Sequence, residues 1–157
     1  MNAHHVELRL LRWGDWSFCR QVAADPAVRE ASFDGRAPTA FRHLRWFLRH
    51  WYGGARRGFV LLRQGMPAGV VTWRVDRGTV VWVGIALRPC ERGRGLGPAA
   101  LRLARIMITN TLYPGAQVRA CIKATNTASR AAFTRAGFRL DRIPCRHPHG
   151  GMEYAWP

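Results

Sequence analysis

Val80-Val81-Trp82-Val83-Gly84-Ile85-Ala86-Leu87, followed shortly by Glu91-Arg92-Gly93-Arg94-Gly95-Leu96-Gly97 and Pro98, is the stretch that decides how this chain folds. An apolar, β-branched run reads as a strand, and a second apolar run from Ala99 to Leu112 reads as a helix. Between them, three glycines at alternate positions leave the backbone clear of side chains, so several N–H groups can converge on one anion. A helix opening at that point adds unpaired first-turn donors and the positive end of its dipole. Pro98 suits a first helical turn, where a missing N–H costs little. Strand, glycine loop and helix start together predict a cradle for the pyrophosphate of a phosphate-rich cofactor.

Two better-known glycine loops do not fit. A Walker loop ends Gly-Lys-Ser/Thr, whereas Gly97 is followed by Pro98. A dinucleotide fingerprint is G-x-G-x-x-G with an acidic residue about 20 positions later. Here the spacing is Gly93, Gly95, Gly97, and the next acid is Asp141. What remains is R-x-x-G-x-G, formed by Arg92, Gly95 and Gly97. It resembles the acetyl-CoA loop of the GCN5-related N-acetyltransferases (GNAT).

The rest of the chain arranges itself around that unit. Val6 to Leu10 alternates as a strand, Asp15 caps a short helix carrying Trp16, Cys19 and Val22, and Asp25-Pro26 breaks it. Thr39 caps a second helix with an apolar stripe of Phe41, Leu44, Phe47, Leu48 and Trp51, ended by Gly53-Gly54. A meander follows: Phe59 to Arg63, Ala68 to Val75 and Thr79 to Leu87, with turns at Gly65-Met66-Pro67 and Asp76-Arg77-Gly78. Gly84 inside the third of these strands marks a bulge or a close backbone approach. Gln117 to Lys123 is a strand, Asn126 caps a helix that stops at Gly137, and Phe138 to Ile143 with Met152 to Trp156 make a closing hairpin. The order β-α-α-β-β-β-α-β-α-β-β is that of the GNAT fold. The expectation is α/β (α+β): one mixed, mostly antiparallel sheet of about seven strands flanked by about four helices, in a single domain over residues 1–157.

Composition sets the outer bounds. A chain of 157 residues, 48% hydrophobic with seven tryptophans, builds a packed core. No apolar run approaches the ~20 residues that span a membrane. Met1-Asn2-Ala3-His4-His5 lacks the pattern of a signal peptide, so the expected location is cytoplasmic. Cys19, Cys90, Cys121 and Cys145 form no C-x-x-C pair and read as small, buried or half-buried thiols. His147 and His149 read as part of a polar hairpin turn, and no metal site is expected. The net charge of +16 comes from 25 basic and 9 acidic residues, and Lys123 is the lone lysine. Such a field draws in anionic partners: CoA, nucleotide sugars or nucleic acid. The basic residues are spread along the chain and match no nucleic-acid motif.

A second constellation supports the first. Asn126-Thr-Ala-Ser129-Arg-Ala-Ala-Phe133-Thr-Arg-Ala-Gly137-Phe138 is similar to the second GNAT signature, an Asn-initiated helix closed by Gly-Phe that lines one wall of the cofactor slot. Many family members place a tyrosine at Phe133, whose hydroxyl protonates the departing CoA thiolate; phenylalanine has no proton to give. Ser129 lies one turn earlier on the same face, and the ribosomal-protein and amino-sugar branches carry a serine there. The resemblance therefore implies Ser129 as proton donor or CoA-sulfur contact.

Residues 25–47, from Asp25-Pro26-Ala27-Val28-Arg29 through Ser32-Phe33 to His43-Leu44-Arg45-Trp46-Phe47, resemble the acetyltransferases of nonulosonic-acid (pseudaminic-type) pathways, which acetylate the 4-amino group of a UDP-linked amino sugar. The implied reaction is direct acetyl transfer from acetyl-CoA to a primary amine. The cofactor would be held by Arg92, Gly93, Arg94, Gly95, Leu96 and Gly97 at the pyrophosphate, by Ile85, Ala86 and Leu87 along the pantetheine arm, and by Asn126, Ser129 and Phe133 on the far wall. The Leu87 N–H would face the thioester oxygen, and a donor of that kind is worth roughly 3–4 kcal/mol. Asp34 and His43 are the candidate bases for the amine. A ribosomal-protein-type N-terminal acetyltransferase, a basic nucleic-acid-binding module without catalysis, a CoA-binding relic and a homodimer all remain open at this stage.

Overall fold

A computed structural model describes residues 6–36, 38–76, 79–144 and 151–157. Seven strands form one sheet in the order β1-β2-β3-β4-β5-β7-β6. β1 (Val6–Leu10), β2 (Arg56–Arg63), β3 (Met66–Asp76) and β4 (Val80–Leu87) make an antiparallel meander. β5 (Gln117–Ile122) runs parallel to β4, and β7 (Met152–Ala155) lies antiparallel between β5 and β6 (Arg139–Pro144). The mixed, mostly antiparallel sheet is the one expected from the sequence.

Helices cover both faces. Phe59, Val71, Trp73, Val81 and Val83 pack against Leu96, Ala100, Leu101 and Ala104 of α4 (Leu96–Met107) and Phe133 and Ala136 of α5 (Thr127–Ala136). Val60 and Val70 point the other way, as strand alternation requires, and meet Cys19 of α1 (Trp16–Ala24) and Phe47 of α3 (Ala40–Trp51). Inside the large cluster, Phe59 and Trp73 rings sit 4.4 Å apart.

The caps explain several boundaries. Asn126 Oδ1 accepts the Ser129 N–H at 3.0 Å, and Gly137 closes α5 with φ +103°, where a side chain would be strained. Thr39 Oγ1 accepts from the Arg42 N–H at the start of α3. Asp15 behaves differently from expectation: its carboxylate accepts the Arg12 N–H at 2.6 Å and pairs with Arg9, which ties a single 3-10 turn (Trp13–Asp15) to β1 rather than capping α1.

Other boundaries move for identifiable reasons. Asp25-Pro26 does not merely break α1. Pro26 occupies a first-turn position and Asp25 Oδ1 accepts the Val28 N–H at 3.1 Å, so a further helix, α2 (Pro26–Ala31), begins there and the α-helices number five rather than four. α4 starts at Leu96, inside the glycine loop, and after Met107 widens into a π-type turn over Ile108–Leu112, closed by the Tyr113 N–H on the Ile108 carbonyl. Gly84 carries no bulge; its register with Thr72 is unbroken, and the irregularity lies between Leu61 and Leu62 of β2. The apolar stripe of α3 is buried only in part: Phe47 is in the core and Trp51 packs against it. Phe41 is 74% exposed and Leu48 39%, while His43, Phe47 and His50 turn inward. Cys19 and Cys90 are free, whereas Cys121 is in a disulfide, contrary to the reading of four thiols. The expected turns at Asp76-Arg77-Gly78 and at His147–His149, and the thiol of Cys145, fall outside the described residues or side chains.

Candidate active site

β4 and β5 are in register only over Val80–Trp82 and Gln117–Arg119. Beyond that point the two strands separate, and among the described residues Val83–Leu87 has no strand partner on the β5 side. The hydrogen-bond phase of β4 follows from its pairing with β3. The Arg88 N–H donates to the Ala68 carbonyl at 2.9 Å, and Val70 faces Ala86 while Thr72 faces Gly84. Residues 84, 86 and 88 therefore exchange bonds with β3, and the N–H and C=O groups of Ile85 and Leu87 project into the gap. Of the three residues expected along a pantetheine arm, Ile85 and Leu87 turn backbone groups to the gap and Ala86 turns its own to β3.

The glycine loop closes the end of this gap. Gly93 and Gly95 have φ of +73° and +75°, and a Cβ at either would meet nothing within 4 Å. Here glycine is required by the backbone conformation, and the space beside it is open. Gly95 caps α4, which aims its first-turn donors at the same space. Gly97 differs from them: its φ is not positive, and a Cβ there would make an ordinary contact 3.5 Å from Ala132 Cβ on α5. The Leu96 side chain is core, leaving only its backbone for a ligand. A cradle of this shape, beside an unpaired strand edge, fits the pyrophosphate and amide-rich arm of CoA.

The arginines of the loop are partly committed. Arg92 Nη2 donates to Asp25 Oδ1 at 2.5 Å and to the Leu87 carbonyl at 3.0 Å. Its guanidinium thus joins the start of α2, the end of β4 and the loop, and Arg92 also lines the cavity. Arg94 Nε donates to the Cys90 carbonyl and remains exposed. Glu91 pairs with Arg63 through two bonds of 2.8 and 3.1 Å, and that partner holds its pKa below the usual carboxylate range.

The cavity between the two halves measures about 860 Å³ and runs from the glycine loop past β4 to α2 and α3. Asn126, Ser129 and Phe133 line its donor end. Phe133 is otherwise a core ring, 5.0 Å from Phe138 in an edge-to-face contact. His43, Trp46 and Arg29 line the other end, with Asp34. The two candidate bases are not equivalent. Asp34 accepts the Arg36 N–H on one oxygen and Arg42 on the other; both hold its pKa below the ordinary value, and neither oxygen is left without a donor. His43 is 1% exposed and its ring is wedged between Trp16 and Trp46, with centroids at 4.7 and 5.3 Å. Burial lowers its pKa, only partly offset by a hydrogen bond to the Trp16 backbone. Nε2 has no hydrogen-bond partner, which leaves Nδ1 for that contact and an unused lone pair on Nε2.

Burial also pushes the Cys19 thiol up to about 12, so it is no nucleophile at neutral pH. Among the described residues, no group of three or more metal-ligating side chains occurs, and no helix is long and apolar enough to cross a membrane. Sequence reasoning missed Arg29, Trp46 and the Asp25–Arg92 link. In the sequence Asp25-Pro26 reads as a helix break; in the structure it starts α2, which places Arg29, one turn later, on the cavity wall.

A family model described as an acetyltransferase (GNAT) domain matches residues 5–139. No curated protein matches the chain in sequence. Among solved structures, an acetyltransferase from Agrobacterium tumefaciens str. C58 superposes with a TM-score of 0.80 at 20% identity, over 100% of this chain and 93% of that one. Spermidine N-acetyltransferase from Vibrio cholerae, in complex with CoA and spermine, gives 0.79 at 15% identity over 98% and 95%. AAC(6')-Ib with ribostamycin and coenzyme A gives 0.78 at 18% identity over 96% and 91%. At these identities the likeness is one of fold.

Proposed function

The chain belongs to the GNAT acetyltransferase family, and from that premise we propose that it acetylates a primary amine of a small molecule, a nucleotide-linked amino sugar, by direct transfer in a ternary complex. It is an acetyl-CoA-dependent N-acetyltransferase acting on amines. The observation that carries the reading is the unpaired Ile85–Leu87 edge of β4 meeting the positive-φ loop at Gly93 and Gly95 and the start of α4. The nucleotide-sugar acceptor is supported by the sequence of residues 25–47; AAC(6')-Ib and the Vibrio cholerae enzyme, bound to ribostamycin and spermine, supply the precedent of small-molecule amines in this fold.

Acetyl-CoA, when bound, supplies a thioester whose C–S bond breaks as the amide C–N bond forms. The protein's tasks are then to align the amine with that carbon, remove its protons and return one to sulfur. Leu87 N–H faces the gap in which charge builds on the thioester oxygen, while its carbonyl is already held by Arg92. His43, neutral at pH 7 because burial disfavours its charged form, takes the proton that the incoming ammonium must lose. Its ring is part of the cavity wall although Nε2 is covered, so the proposed transfer requires that Nε2 be uncovered. Ser129, on the first turn of α5, returns a proton to the departing sulfur where Phe133 cannot. Cys19, protonated and buried, offers no covalent detour.

The test is calorimetric titration of acetyl-CoA at about 150 mM salt, where charges beyond roughly 8 Å are screened, followed by transfer of labelled acetyl to UDP-linked 4-amino sugars. One-to-one binding and labelled sugar are expected. Label entering protein N-termini instead would redirect the acceptor, and salt-sensitive RNA binding without acetyl-CoA binding would overturn the enzymatic reading.

A further inference from the structure

The cavity wall opposite the glycine loop carries an arrangement that donor binding does not use. Arg29 of α2, Arg36 of the segment after it and Arg42 of α3 all line it, and Asp34 is the carboxylate among them. That carboxylate is committed: Arg42 pairs with it and the Arg36 N–H donates to it. Arg29 Nη1 donates to the Arg36 carbonyl at 3.3 Å, but its Nε is buried without a partner. A buried guanidinium donor left unmatched is costly, and a guanidinium stays charged under all ordinary conditions. Three guanidiniums against one carboxylate leave this wall with an excess of two positive charges by simple count. The Trp46 and Phe33 rings also line this end of the cavity, giving flat apolar surface next to the charge.

Resting on the acetyltransferase reading above, we propose that Arg29, with Arg36 and Arg42, forms an anion subsite in the acceptor half of the cavity, so that the accepted amine is carried on a molecule bearing phosphate or carboxylate. The unmatched Arg29 Nε and the neighbouring Nη2 form a planar fork suited to two oxygens of such a group. A polycationic amine meets repulsion at the same wall. The subsite therefore discriminates by charge as well as by shape.

Calorimetry on the protein saturated with CoA tests this, because the glycine loop is then filled and a second anion must bind elsewhere. UDP and galacturonate are the probes, one for each source of negative charge. Saturable binding of either is expected, with Kd raised about tenfold in Arg29→Gln, the loss of one charge-assisted contact. Binding of UDP alone assigns the subsite to phosphate, and of galacturonate alone to carboxylate. Arg36→Gln, whose side chain is exposed, gives a second variant in which packing of α2 is undisturbed; thermal melting checks that Arg29→Gln remains folded. Absence of binding by both probes, or equal binding in wild type and both variants, overturns the subsite, as does acetylation of spermine in preference to an anionic amine. Arg29-dependent UDP binding without acetylation of any amino sugar would uphold the subsite and remove the acceptor named above.

Discussion

The two halves of the cavity are built from different materials. The donor half is backbone: the Ile85 and Leu87 peptide groups at an unpaired strand edge, two positive-φ glycines, and the first turn of α4. The acceptor half is side chains, namely the stacked His43 and Trp46 and the arginines of α2 and the segment after it. A backbone cradle recognises what every CoA presents and tolerates little change in chain conformation. A side-chain wall is cheaply altered, and it is where one family member comes to differ from another in its acceptor.

The sharpest way to break the comparison is to damage one half and read the other. Gly95→Trp forces a side chain onto a residue at φ +75°, at a cost of roughly 1–2 kcal/mol, and fills the open space beside it. Saturable acetyl-CoA binding should vanish in calorimetry, while UDP binding in the acceptor half persists. If acetyl-CoA still bound normally, the donor half would have been placed wrongly.

His43→Gln attacks the other half. A positioned base contributes typically 10²–10⁴-fold, so kcat should fall by about 100-fold or more with little change in acetyl-CoA Kd. The pH dependence gives an independent reading. Burial lowers the His43 pKa, so the base stays neutral, and kcat/KM stays level, to a lower pH than an ordinary histidine near 6.5 allows. The variant should lose that acidic limb altogether. The same shift has a stability consequence. Below the unfolded pKa the unfolded chain binds more protons than the folded one, so stability is complete above about pH 6.5 and declines as pH falls toward the lower folded pKa. His50, buried and shifted in the same direction, adds to the decline. Tm should therefore drop between pH 7 and 5, and less so in His43→Gln; a Tm independent of pH would contradict the burial of both rings.

The same contrast explains what could be read in the sequence. The donor half was legible because its determinants are local: strand, glycines and helix start follow one another within twenty residues, and the Asn126 and Gly137 caps are single-residue signals. Even there, register was needed to see that Ile85 and Leu87, but not Ala86, present backbone groups to the gap. The acceptor half was read poorly. On α3 the larger apolar residues suggest that Phe41 and Leu48 face inward, yet the helix buries His43 and His50 beside Phe47: Trp16 and Trp46 stack on the imidazoles, and His50 Nδ1 meets the Trp46 carbonyl at 2.8 Å. Nothing in the sequence around Asp34, read there as a candidate base, marks Arg42, eight residues on, as its partner. Long-range pairing of this kind leaves no local pattern.

The smallest expected effect comes from the point where the halves are joined. Asp25 caps α2 through the Val28 N–H and receives Arg92 from the glycine loop, which also grips the Leu87 carbonyl at the end of β4. Asp25→Ala should cost about 1 kcal/mol of stability for the cap alone. The Arg92 contact holds the Asp25 pKa below its ordinary value, so its contribution is present at neutral pH and fades as pH falls through the lowered folded pKa. The informative readout is kinetic. Neither half loses a ligand contact, yet freeing α2 and Arg92 together should raise KM for acetyl-CoA and for the acceptor alike, each by a few-fold. A double-mutant cycle with Arg92→Ala isolates the link itself, since the two losses should be far from additive. Full additivity, or a KM change confined to one substrate, would mean that the backbone half and the side-chain half work independently and that the clamp merely stabilises the fold.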